Sequence, residues 1–265
     1  MKKYATSFNL KIIAILFMVI DHVYSYLGSF IGLPRWTSLP GRFVAPLFVF
    51  FLVEGFFYTR SKKKYFWRLF LGGVFMYGIN ISHNLWSGRD LTHPITGEFD
   101  FFLLLQGQNI LMTLALLLLL IWGIDTIRKG QISKLQRVGI IFGLIVLLPF
   151  LVISEGGLYE LPIALIFYFF RGNFNRIALA VSLVCGLLLA HTLFNYFTIS
   201  DIGSLYQVLT FSNKYMMISV LPFIYYYNGE RGGMGARWQK ELFYYFYPIH
   251  LVVIYLLQDF LIGSF

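Results

Sequence analysis

Apolar residues in this chain arrive in long runs separated by short polar patches, the pattern of helices that live in an apolar solvent. Measured against the roughly 20 residues that a helix needs to cross a bilayer core, runs stand near 9–31, 43–59, 66–86, 108–125, 138–154, 157–171, 177–198, 215–229 and 242–262. The expectation is an all-α polytopic membrane protein with about nine transmembrane helices. Two runs are interrupted. Pro162 breaks 157–171, while 43–59 holds both Pro46 and Glu54, and broken spans are tolerated where they line a cavity.

Composition agrees with the pattern. Mean hydropathy is +0.71, 58% of residues are hydrophobic and only 12% are charged, against about 25% charged in soluble domains. The 29 Phe and 18 Tyr are expected to serve as packing and interfacial anchors. No polar linker divides the sequence, so residues 1–265 are expected to form one domain. Met1-Lys2-Lys3 before an apolar run imitates a signal peptide, but no small-x-small cleavage site follows before Arg35. The first run is therefore expected to be retained as a span. Cys185 is the only cysteine, so neither a disulfide framework nor a CxxC metal pattern is expected.

Charge gives an orientation. Nine spans would put alternate loops on opposite sides, and one set collects Lys2, Lys3, Lys11, Arg60, Lys62, Lys63, Lys64, Arg68, Arg128, Lys129, Lys134, Arg137, Arg171, Arg176, Arg231, Arg237 and Lys240. The other set holds only Arg35, Arg42, Arg89 and Lys214. By the positive-inside rule the N-terminus is expected in the cytoplasm and the C-terminus outside. The net charge of +9 follows from the same asymmetry and gives no warrant for a nucleic-acid partner.

Against this background a few ionisable residues stand out. Asp21 and His22 lie side by side within the first run, where each ionisable group costs roughly 2.5–3.5 kcal/mol to insert. At about 1.5 Å per residue, His22 lies roughly 20 Å up from Asn9, in the outer half. Neighbours on a helix point about 100° apart, so Asp21 and His22 cannot share one face. Asp21 is expected to meet Arg42, which opens the second span at a similar depth and would neutralise it. His22 is the group suited to proton transfer, with an orienting partner from another helix, either Glu54 or His83 with Asn80. The bland alternative is a hydrogen bond across a helix pair. Glu54 sits among Phe50, Phe51, Phe56 and other apolar neighbours and could equally brace a helix in protonated form. His250 follows Pro248, which interrupts the backbone ladder, so a kinked polar cavity wall is expected there.

The run Arg60-Ser61-Lys62-Lys63-Lys64 with Arg68 reads first as membrane topology and contact with anionic lipid. A phosphate-rich cofactor entering from the cytosol is the alternative. Ser87 to Gln108 is the longest external loop, and its Phe99 to Leu105 stretch is expected in the interface. Motifs of P-loop NTPases, zincins, serine hydrolases and EF-hands do not occur, and the five scattered histidines imply no metal site by spacing.

Three segments carry a family resemblance. Leu10-Lys11-Ile12-Ile13-Ala14-Ile15 leading to Asp21-His22, Gly41-Arg42-Phe43-Val44-Ala45-Pro46-Leu47-Phe48, and Val53-Glu54-Gly55-Phe56-Phe57-Tyr58-Thr59-Arg60 resemble the TraX family, named for a conjugative-pilus pilin acetylase. The likeness returns at Phe246-Tyr247-Pro248-Ile249-His250-Leu251. That family is similar to transmembrane acyltransferases of the acyltransferase-three and heparan-glucosaminide types. The resemblance implies transfer of an acyl group, acetyl above all, from cytosolic acyl-CoA to a hydroxyl or amine of an envelope glycan, lipid or peptide, at a cell membrane. It implies His22 as general base or transient acyl acceptor, Asp21 and Glu54 in support, and Arg42 at the acyl carbonyl or a phosphate. Asn80, His83, Arg60, Lys63, Arg68 and His250 complete the expected binding set. The RxxR motif of those acyltransferases is missing from the outer half of every run. A proton-coupled transporter built on buried Asp, His and Glu, and a membrane scaffold without turnover, are the competing classes.

Overall fold

The computed structural model describes residues 4–233 and 237–263. Lys2 and Lys3, counted above among the inner cations, lie outside the described residues, as do the side chains of Arg237 and Lys240. Eleven α-helices run through the described residues: α1 Ser7–Leu27, α2 Val44–Tyr58, α3 Lys62–Trp86, α4 Phe101–Leu105, α5 Ile110–Lys129, α6 Lys134–Ile153, α7 Gly157–Phe169, α8 Phe174–Thr198, α9 Leu205–Phe211, α10 Val220–Tyr226 and α11 Arg237–Gly263. Short 3-10 turns cover Arg35–Ser38, Pro40–Phe43 and Asn213–Ser219. No strand forms among the described residues.

Each of the nine apolar runs carries helix. Among the described residues, five helical stretches are long and apolar enough to cross a membrane: Ser7–Leu27, Arg35–Tyr58, Ile110–Lys129, Lys134–Ile153 and Phe174–Thr198. α7 is apolar but shorter, and α3 begins on three lysines. The helix starts were written in polar residues. Thr6, Ser61 and Asn109 accept hydrogen bonds from the backbone amides of Asn9, Lys64 and Met112, closing α1, α3 and α5 at their first turns. Ser133 with Gln136, and Ser204 with Gln207, form reciprocal capping boxes.

The chain forms two compact units, residues 1–54 with 162–243 and residues 55–161 with 244–265. The first contains α1, α8, α9 and α10 with parts of α2, α7 and α11. Its core is aromatic: Phe43 stacks on Phe223 at 4.1 Å between ring centroids, Phe17 meets Phe43 edge-on, and Phe50 meets Phe167 and Tyr227 edge-on. These rings are packing, as their abundance suggested. The second unit is built on α3, α4, α5 and α6. α3 and α5 come very close at Gly73, where an added Cβ would stand 2.9 Å from the Met112 backbone. Without interhelical hydrophobic drive in lipid, such close approach through small residues is how membrane helices gain packing.

Candidate functional site

In the first unit the sequence expectation for Asp21 is met. Arg42 donates from Nη2 to the Asp21 carboxylate and from Nε to the Ser38 carbonyl, 3.0 Å away. Both side chains of the ion pair are less than one-fifth exposed. The approach depends on Gly41, since a Cβ there would fall 2.9 Å from Asp21 Cβ. The chain thus spends a glycine to bring a guanidinium against α1.

This ion pair stands beside a cavity of about 220 Å³. Arg35, Arg42 and Lys214 line it, together with Tyr24 and Ser25 of α1 and Thr210 at the end of α9. These are three of the four cations assigned from sequence to the outer face. Asp21, Tyr24 and Ser25 share one face of α1 by their three- and four-residue spacing. His22 is buried on a different direction of the same helix and is not part of the cavity lining. The cavity wall is held by buried polar groups: Asn213 Nδ2 donates to Ser38 Oγ at 2.9 Å and to the Thr210 carbonyl at 3.0 Å. Ser38 in turn donates to the Arg35 carbonyl. Such a network fixes the turn that carries Arg35 and Arg42.

Glu54 takes a partner that the sequence reading did not give it. Arg171 binds it with two hydrogen bonds, Nε to Oε1 at 2.7 Å and Nη2 to Oε2 at 3.1 Å. A guanidinium fork matches a carboxylate in this way, and that charge-assisted geometry outcompetes a neutral imidazole as partner. Glu54 also lies about ten residues into α2, roughly 15 Å along the helix from its start beside Arg42. It belongs to the other end of α2 from the Asp21 and Arg42 pair.

Asn80, His83 and His250 lie in the second unit. His83 Nε2 faces Asp259 Oδ1 at 3.2 Å, and its ring stacks on Tyr255 with centroids 4.2 Å apart. Asn80 accepts from the Tyr255 hydroxyl at 3.1 Å and donates to the Gln108 carbonyl at 3.2 Å. One turn on, Asn84 donates to the carbonyls of Leu104 and Gln106. Both asparagines therefore tie the segment after α4 down to α3. Glu155 accepts from the Asn109 amide and from the Tyr247 hydroxyl. His250 is buried, its Nδ1 donates to the Phe246 carbonyl at 2.8 Å, and its ring stacks on Phe246. That contact lies within α11, which continues as one helix through Pro248.

The basic run divides by role. Lys62 donates to Asp125 at 3.0 Å and covers the Phe56 ring, and Lys129 reaches the same carboxylate. Arg60, Lys63 and Lys64 are exposed, while Arg68 lies over Tyr65 and Tyr244. Sequence reasoning missed Asp259, Arg171, Asp125 and Glu155 as partners. Lys129 and Asp125, four residues apart on one helix, offered a local signal. His83 and Asp259 are 176 positions apart and offered none.

Comparison with known proteins follows the same path. The family model described as TraX protein matches residues 7–258. A probable fimbrial assembly protein FimC of serogroup H1, from Dichelobacter nodosus, is 31% identical over 260 residues, covering 94% of each chain. No solved structure matches.

Proposed function

This chain belongs to the TraX family, and on that premise we propose that it is a membrane-embedded acyltransferase acting in fimbrial assembly. It would move an acetyl or other acyl group from cytosolic acyl-CoA to an amine or hydroxyl at the cell membrane or envelope. The name of the FimC relative, a probable fimbrial assembly protein, suggests a fimbrial component as acceptor. The topology proposed with it has nine spans, the N-terminus inside and the C-terminus outside, in the plasma or inner membrane.

The observation that carries this reading is the buried His22 next to an Asp21 carboxylate already neutralised by Arg42. A buried imidazole is the side-chain type suited to taking and returning a proton in such a step. In the proposed step His22 takes the proton of the acceptor N–H or O–H as its nitrogen or oxygen attacks the thioester carbonyl. The carbon–sulfur bond then breaks, and the departing CoA thiolate receives the proton from the His22 imidazolium. Arg42 stabilises the developing oxyanion, an effect strengthened where water is excluded. Asp21 positions Arg42, and Glu54 with Arg171 braces the far end of α2. In the second unit, Arg60, Lys63 and Arg68 place exposed positive charge at the start of α3. Asn80, His83 and His250 hold the polar framework of that unit.

The test is label transfer. Membranes carrying the protein, given acetyl-CoA labelled in the acetyl group and a fimbrial subunit, are expected to label the subunit, and His22→Ala is expected to lower the rate by about 10²-fold or more. Equal labelling by wild type and a correctly folded His22→Ala protein rejects the role of His22.

A second reading, a proton-coupled carrier, is favoured by one feature, the His83 and Asp259 pair among buried polar groups. It predicts proton flux into proteoliposomes without acetyl-CoA, abolished by Asp259→Asn. The acyltransferase reading predicts no such flux.

A further inference from the structure

Arg42 is carried on backbone that does not hold its own shape. Two short 3-10 turns, Arg35–Ser38 and Pro40–Phe43, lead into α2, and neither has a side-chain cap. Hydrogen bonds in such turns have poorer geometry than those of an α-helix, so the turns take their conformation from what surrounds them. A group that acts on a reacting carbonyl is sensitive to placement, and an error of about 1 Å can cost 10²-fold in rate. Whatever fixes these turns therefore fixes the guanidinium.

The Phe43 end is held by ring contacts with Phe17 and Phe223. The guanidinium end is held through Ser38, whose carbonyl accepts from Arg42 Nε at 3.0 Å and whose hydroxyl donates to the Arg35 carbonyl at 3.1 Å. Asn213, 175 positions away, reaches the same hydroxyl: its Nδ2 donates to Ser38 Oγ at 2.9 Å and to the Thr210 carbonyl at 3.0 Å. Both Asn213 and Ser38 are buried, and a buried amide with two partners has one orientation. The turn beneath Arg42 is thereby tied to the last turn of α9. With Nε on Ser38 and Nη2 on Asp21, Nη1 is the end of Arg42 left for substrate.

We propose that Asn213 is a positioning residue for Arg42, acting through Ser38, and that its amide sets the aim of Nη1 at the oxyanion. Its effect on rate rests on the acyl-transfer reading; its effect on Arg42 does not.

Two measurements test this. The first is acetyl transfer by Asn213→Leu, Ser38→Ala and the double variant. Each single variant is expected to lower kcat about tenfold with KM for acetyl-CoA unchanged, the mark of an interaction made only in the transition state. The double variant is expected to fall no further than the slower single one, because the two residues act in series. A loss of packing alone lowers the amount of folded protein and leaves kcat per folded molecule unchanged. Should Asn213→Leu not fold, Asn213→Asp, equal in size and without the donor, takes its place. The second measurement is the rate at which phenylglyoxal, an arginine-selective dicarbonyl, modifies Arg42, read by peptide mass spectrometry against the exposed Arg176. Both single variants are expected to raise the Arg42 rate several-fold relative to Arg176. An Arg42 rate equal to that of wild type, or kcat losses that multiply in the double variant, overturns the role of Asn213. If wild type transfers no acetyl group, the acyl-transfer reading fails, while the phenylglyoxal rates still decide whether Asn213 positions Arg42.

Discussion

At the scale of single residues, one glycine decides what its larger neighbours can do. Gly41 admits the Asp21 side chain so that Arg42 can reach it. Gly41→Ala is expected to destabilise the protein by about 1–3 kcal/mol, the usual cost of overfilling a packed site, read as a lower midpoint in detergent unfolding. The ion pair has its own signature. Asp21→Asn alone leaves the Arg42 charge in a largely buried place and is expected to cost about 3 kcal/mol. The Asp21→Asn, Arg42→Gln double variant is expected to cost less than the two single costs added, a coupling that a double-mutant cycle measures. This pair was legible in the sequence, because depth along two helices and opposite charge sufficed to match Asp21 with Arg42. The match of Glu54 with Arg171 was not, since Arg171 counted only as a basic residue in a loop.

Among the elements, α3 and α5 show how a sequence rich in glycine can be read at two positions with opposite outcomes. A Cβ at Gly73 meets the backbone of Met112, which cannot step aside, whereas nothing lies within 4 Å of one at Gly78. Gly73→Ala is expected to separate α3 from α5 and lower the unfolding midpoint. Gly78→Ala is expected to raise it, by the ~1 kcal/mol that Ala gains over Gly inside a helix. A result with both variants lowered would contradict the packing described for these helices. The helical class could be seen from hydropathy alone, because the bilayer solvent imposes long apolar stretches on the sequence, although the run 215–229 divides into a 3-10 segment and the short α10. The short α4 and α9 and the 3-10 turns were not visible. They depend on capping by Asp100 and Ser204 and on tertiary hydrogen bonds such as Asn213 to Ser38, which leave no periodic trace.

For the whole molecule, the shared scheme is charge held at a few paired sites in an otherwise apolar chain. Arg42 with Asp21, Arg171 with Glu54 and Lys62 with Asp125 each place a cation against a carboxylate, and His83 meets Asp259 through a hydrogen bond. Membership in the TraX family rests on nearly the whole chain, well beyond the three segments in which the sequence shows it most openly. The proposed orientation predicts that a cysteine placed at Tyr4, with Cys185 replaced by Ala, is labelled by an impermeant thiol reagent only after the cytoplasmic side is exposed. The central claim is acyl transfer by His22, and release of free CoA thiol from acetyl-CoA by the purified protein with an acceptor amine tests it most directly. Wild type is expected to release thiol in step with acceptor acetylation, with His22→Ala slower by about 10²-fold at an unchanged unfolding midpoint. Thiol release that is absent in wild type, or equal in the two proteins, would contradict the account.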